Sequence, residues 1–78
     1  MIKIYSTKNK NQSRVIIEID EKNQEAYVKG CKDIAIQYFK QIKRKAPNDY
    51  GNFYGREKAG YHACLEILEK FKNDFELI

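Results

Sequence analysis

The sequence predicts an α+β fold in which a three-stranded antiparallel meander is followed by two helices packed on one of its faces, in the order β-β-β-α-α. Three observations carry this reading. Residues 1–30 hold three short runs that alternate apolar and polar side chains, the period-two pattern of half-buried strands. The links between the runs are polar and too short for a parallel crossover, so consecutive strands must be antiparallel neighbours. From Asp33 onward the apolar residues recur instead at helical spacing.

In the first run Ile2 and Ile4 alternate with Lys3 and Tyr5, and in the second Val15, Ile17 and Ile19 alternate with Arg14, Ile16 and Glu18. The third is Ala26-Tyr27-Val28-Lys29. The turn-like stretches 6–13 and 20–25 join them. Simple hydrophobic counting places Ile2, Ile4, Val15, Ile17, Ile19, Ala26 and Val28 on the buried face. It leaves Lys3, Tyr5, Arg14, Ile16, Glu18, Tyr27 and Lys29 on the exposed one.

Gly30 ends the strand pattern. Ala35, Tyr38, Phe39, Ile42 and Ala46 then fall within an arc of about 100° on a helical wheel, the width of a core-facing stripe. Asp33 suits the start of this helix and Lys43, Arg44 and Lys45 its end, each by complementing the helix dipole. Pro47 is expected to stop it, because the residue before a proline is pushed out of the helical region. Tyr61, Cys64, Leu65, Leu68, Phe71 and Phe75 form a second stripe. The second helix is expected over about 56–72, with an entry near Asn52 as N-cap and residues 47–51 as a loop. Gly51 and Gly55 argue against an earlier start, since each costs about 1 kcal/mol relative to Ala inside a helix. Gly51, Gly55, Ala59 and Ala63 are spaced by four, a small-residue ridge away from the apolar stripe.

At 78 residues the chain is expected to be a single domain spanning 1–78, with 42% apolar and 33% charged residues, a globular composition. No run approaches the roughly 18 apolar residues of a membrane span. The N-terminus alternates rather than forming an apolar block with a small-residue cleavage site, so a cytoplasmic protein is expected. Two cysteines without a secretory signal make no disulfide framework. His62 and Cys64 point about 200° apart on a helix, so no metal site is expected. Gly60 is followed by Tyr61 and His62 rather than the Lys-Ser/Thr of a phosphate-binding loop. No cofactor is expected, and with no nucleophile–base pair in view the chain reads as a non-enzymatic binding module.

Charge is segregated along the chain. Residues 1–17 carry Lys3, Lys8, Lys10 and Arg14 and no acid, residues 18–25 are net acidic, and residues 26–46 carry six cations against Asp33 alone. Two recognition surfaces follow. The first joins Lys40, Lys43 and Arg44 to Tyr50, Tyr54 and Arg56, because Tyr and Arg anchor most protein interfaces. The second is the exposed sheet face with Lys3, Tyr5, Arg14, Tyr27 and Lys29, a composition that can stack bases and hold phosphates. The first favours a protein or nucleoprotein partner. The second favours the alternative of a small basic nucleic-acid-binding regulator. A monomer and a homodimer are both compatible with the sequence.

A meander followed by two helices in a short chain rich in Lys, Asn and Ile resembles the small accessory proteins of phages and prophages of low-GC bacteria, and among them certain anti-CRISPR inhibitors of Cas nucleases. The resemblance implies an inhibitor of a host protein or nucleoprotein, acting in the host cytoplasm. It rests on outline rather than on a shared motif. Inhibitors of this shape that mimic DNA are acidic, whereas this chain is basic between Lys29 and Lys45, so mimicry of DNA is not implied.

Overall fold

Ile17, Ile19, Val28, Phe39 and Ile67 are almost completely withdrawn from solvent, and the elements that enclose them make up a sheet with two helices on one side. The computed structural model describes residues 2–9, 14–47 and 56–78. Among these, five strands and two helices follow one another as β1 (Ile2–Thr7), β2 (Val15–Asp20), β3 (Glu25–Gly30), α1 (Lys32–Gln41), β4 (Glu57–Ala59), α2 (Tyr61–Lys70) and β5 (Phe75–Leu77). The strands form one antiparallel sheet in the order β4-β3-β2-β1-β5.

The expected β-β-β-α-α order is therefore corrected. The meander is present, but each of its outer edges gains a short strand from the second half of the chain. β3 would otherwise leave the N–H and C=O groups of Ala26 and Val28 unpaired, and β4 meets them with Ala59 and Glu57. On the other edge Tyr5, Ser6 and Thr7 pair with Leu77, Glu76 and Phe75. Three-residue strands are too short to show a period of two, so in sequence Glu57–Ala59 and Phe75 fit the helical periodicity of the residues between them.

The helix limits shift for local reasons. α1 ends at Gln41, well before Pro47, because the chain turns back on itself there. Lys43 adopts a left-handed conformation with φ 59, its N–H donates to the Lys40 carbonyl at 3.0 Å, and the Arg44 N–H donates to the Phe39 carbonyl at 3.0 Å. These two bonds define a Schellman motif, which satisfies the last carbonyls of the helix. α2 starts at Tyr61 behind Gly60 as N-cap; the expected cap, Asn52, lies outside the described residues, as do Gly51 and Gly55. Its buried side chains are Ala63, Cys64 and Ile67, whereas Leu65 is exposed. The stripe is thus rotated from the expected one, and Ala63 belongs to the core rather than to an outer ridge.

The face of β1 is also reversed. Tyr5 lies across from Ile17 and Lys3 across from Ile19, while Ile4 lies across from Glu18 and Ile2 across from Asp20. Directly opposed residues share a face. Tyr5 and Thr7 consequently stand on the helix-covered side, and Ile2 and Ile4 on the other. Thr7 is buried and its Oγ1 accepts the Val15 N–H at 2.9 Å, closing the end of the β1–β2 ladder with a side chain. Hydrophobic counting prefers the isoleucines inside; the register fixed at this hydrogen bond overrides it.

The helices are tied to each other and to β5 by aromatic contacts. The Tyr38 ring lies 5.0 Å from that of Phe71 and 5.3 Å from that of Phe75. The expected inner residues Val15, Ile17, Ile19, Ala26, Val28, Ala35, Phe39 and Ile42 all lie in this core. Among the described residues no helix is long and apolar enough to cross a membrane.

Candidate functional site

Both helices bury their apolar faces against one side of the sheet, and the opposite side carries no helix among the described residues. The register lays out its side chains in rows. One row runs Lys58, Tyr27, Glu18, Ile4 across β4, β3, β2 and β1, and continues to Ile78, whose N–H donates to the Ile4 carbonyl at 2.8 Å. The adjacent row runs Lys29, Ile16, Ser6, Glu76, and the row on the other side Glu25, Asp20, Ile2. The open face therefore has a charged half on β3 and β4 and, on β1 and just beyond β5, an apolar half made by Ile2, Ile4 and Ile78 and bordered by Ser6 and Glu76. Ile2 is 45% exposed, Ile4 37% and Ile78 74%.

Arg56, just before β4, lies within the charged half and reaches across to β2. Its guanidinium carbon lies 3.8 Å from the centre of the Tyr27 ring, and its Nε donates to Glu18 Oε1 at 2.8 Å. The planar cation thus lies on β3 and reaches the carboxylate of β2, a geometry that a lysine could not reproduce. The Glu18 side chain is only 16% exposed. Beside it Lys58 donates to Glu25 at 3.1 Å, and this carboxylate raises the lysine's pKa by hydrogen bonding and by its charge. At the far end of β2 the Asp20 carboxylate accepts the side-chain amide and the backbone N–H of Asn23, which lowers its pKa.

The sequence-predicted surfaces are redistributed. Of Lys3, Tyr5, Arg14, Tyr27 and Lys29, only Tyr27 and Lys29 sit in rows of the open face. Lys3 and Tyr5 are on the helix side, where Lys3 pairs with Glu21 at 2.7 Å and has its pKa raised by that contact. Arg14 is exposed just ahead of β2, and its carbonyl accepts the Cys31 N–H. Of the other set, Lys40, Lys43 and Arg44 gather at the end of α1, with Arg44 Nε 3.1 Å from Glu66 Oε1 of α2. Arg56 is not with them but on the open sheet face. Tyr50 and Tyr54 lie outside the described residues.

The residues that sequence reasoning missed are Ile2, Ile4 and Ile78. No local signal marks them: Thr7 shares its parity with Tyr5, but a threonine suits an exposed strand position as well as a buried one, and its inward role appears only in the bond from the Val15 N–H.

A cleft of about 340 Å³ opens between the end of β1, α1 and the α2–β5 turn, lined by Thr7, Lys8, Asn9, Ile34, Tyr38 and Asp74 among others. Tyr38 donates its hydroxyl to Asp74 Oδ2 at 3.3 Å, and its pKa is raised by burial first and by the Asp74 charge second. Among the described residues no three His, Cys, Asp or Glu side chains are grouped to hold a metal ion. Comparison with protein-family models, curated proteins and solved structures finds no match to this chain.

Proposed function

We propose that this chain is a non-enzymatic binding module that engages a protein partner through the open face of its sheet. The observation that supports this reading is the placement of exposed Ile2, Ile4 and Ile78 beside an arginine stacked on Tyr27. An exposed apolar field next to an Arg–Tyr anchor is the composition of protein interface cores. The nucleic-acid alternative draws less support here, because Arg56 and Lys58 spend their charge on Glu18 and Glu25, and Lys3 and Lys29 occupy opposite sides of the sheet. A host defence nucleoprotein is the partner class that the outline resemblance suggests. That outline, three strands and then two helices, is not the order of elements in this fold, so the proposal stands on the surface alone.

The test is site-directed photocrosslinking in producing cells, with the crosslinker at position 4 or, as a control, at position 43. A discrete, nuclease-resistant protein adduct from position 4 that is lost in Arg56→Ala supports the reading. Adducts from position 43 only, or adducts that nuclease removes, overturn it.

A further inference from the structure

The sheet ends on β4 and on β5, and among the described residues no further strand pairs with either outer edge; the two edges are built differently. On β5, the N–H of Ile78 donates to Ile4 and the N–H of Lys8 donates to Asp74, at 2.8 and 2.9 Å, so the backbone groups of residues 74, 76 and 78 turn toward β1. Antiparallel strands alternate in this respect. The N–H and C=O groups of Phe75 and Leu77 therefore point to the outer edge. On β4 the alternation runs the other way: the Cys31 N–H bonded to Arg14 turns the odd residues of β3 toward β2, so Ala26 and Val28 bind β4 and only Lys58 turns its backbone outward. That edge carries Lys58 and Arg56, the kind of charges that discourage strand addition. β5 carries neither lysine nor proline, and Leu77 on it is 59% exposed.

We infer that the outer edge of β5 docks an extended segment of a partner protein in which apolar residues flank a basic one. Charge decides against a second copy of this chain. Antiparallel pairing that satisfies both Phe75 and Leu77 would set Glu76 directly across from its own symmetry mate, with like charges about 4.5 Å apart between Cα atoms. A lysine or arginine at that position removes the repulsion. Glu76 already takes part in an interaction within the chain, so the partner's cation adds to it. The residues on either side of that cation face Phe75 and Leu77 on the helix-covered side, where an apolar side chain covers Leu77. This is strand addition, with main-chain bonds supplying affinity and alternate side chains supplying selection. It does not depend on the open-face reading.

The experiment is amide hydrogen exchange of the full chain by NMR, with a short blocked peptide alternating valine and lysine and, in parallel, the same peptide with glutamate for lysine. The expected result is several-fold slower exchange at the Phe75 and Leu77 amides with the lysine peptide and little change with the glutamate peptide, the preference reversing in Glu76→Lys. Failure of both peptides to slow these amides overturns the proposal, as does equal slowing by both. Protection of the same amides without peptide, together with a concentration-dependent dimer in sedimentation, would assign the edge to a second copy and also overturn it.

Discussion

Tyr5 of β1 stands directly across from Ile17 of β2, on the side of the sheet that the helices cover. This pairing sets the character of the opposite side, because a strand's side chains alternate and a shift of one residue would exchange the two faces. With Tyr5 inward, Ile4 must be outward. The open face owes its apolar half to that relationship.

Replacing the two isoleucines should therefore have opposite outcomes. Ile17 is 1% exposed, and Ile17→Ala should cost about 2–5 kcal/mol in chemical denaturation. Ile4→Lys should change stability by less than about 1 kcal/mol, since an exposed site leaves no cavity. Comparable losses for both variants would show the β1 register to be wrong.

Gly30 ends β3 with φ +110, and a Cβ there would collide with the Arg14 carbonyl oxygen. That carbonyl holds the Cys31 N–H at the entrance to α1. Gly30→Ala combines a backbone conformation that L-residues avoid with this collision, so a loss of more than about 1–3 kcal/mol is expected from thermal or urea unfolding. A variant as stable as the parent would contradict the geometry.

The left-handed residue that terminates α1 is a lysine rather than a glycine. Lys43→Gly relieves its steric penalty and should raise stability by roughly 1 kcal/mol. Calorimetry would register a higher Tm; a lower one would mean that the Lys43 side chain contributes more than its strain costs.

The two thiols should separate cleanly. Cys64 is fully buried, and burial pushes its pKa up to about 12, whereas Cys31 is partly exposed at the start of α1. A thiol reagent should label Cys31 in the native protein and Cys64 only after unfolding. The sign of the linkage follows: above the ordinary thiol range the unfolded chain ionises Cys64 while the native chain does not. The contribution is therefore complete below about pH 9 and is lost as pH rises toward about 12. Cys64→Ala should remove that alkaline component; rapid native labelling at Cys64 would count against its burial.

Much of the core was legible along the chain. Val15, Ile17, Ile19 and Val28 could be read as one strand face, and Ala35, Phe39 and Ile42 as one helix face, because both patterns persist for long enough to show their period. Ile16, Glu18, Tyr27 and Lys29 were likewise legible as outward-facing. The tertiary structure decided the rest. β4 and β5 are three residues each and form by pairing with the backbone groups that the meander's outer edges present, a pairing that no local pattern in residues 57–59 or 75–77 expresses. The face of β1 is decided by long-range register, in which a hydroxyl on Thr7 and a ring on Tyr5 outweigh two isoleucines. Arg56 reaches Tyr27 and Glu18 only because β4 adds to β3, which brings together residues 29 and 38 positions apart. Local periodicity is a property of neighbours in sequence; which edge a strand joins, and which of its faces is covered, depends on hydrogen-bonding groups far away along the chain.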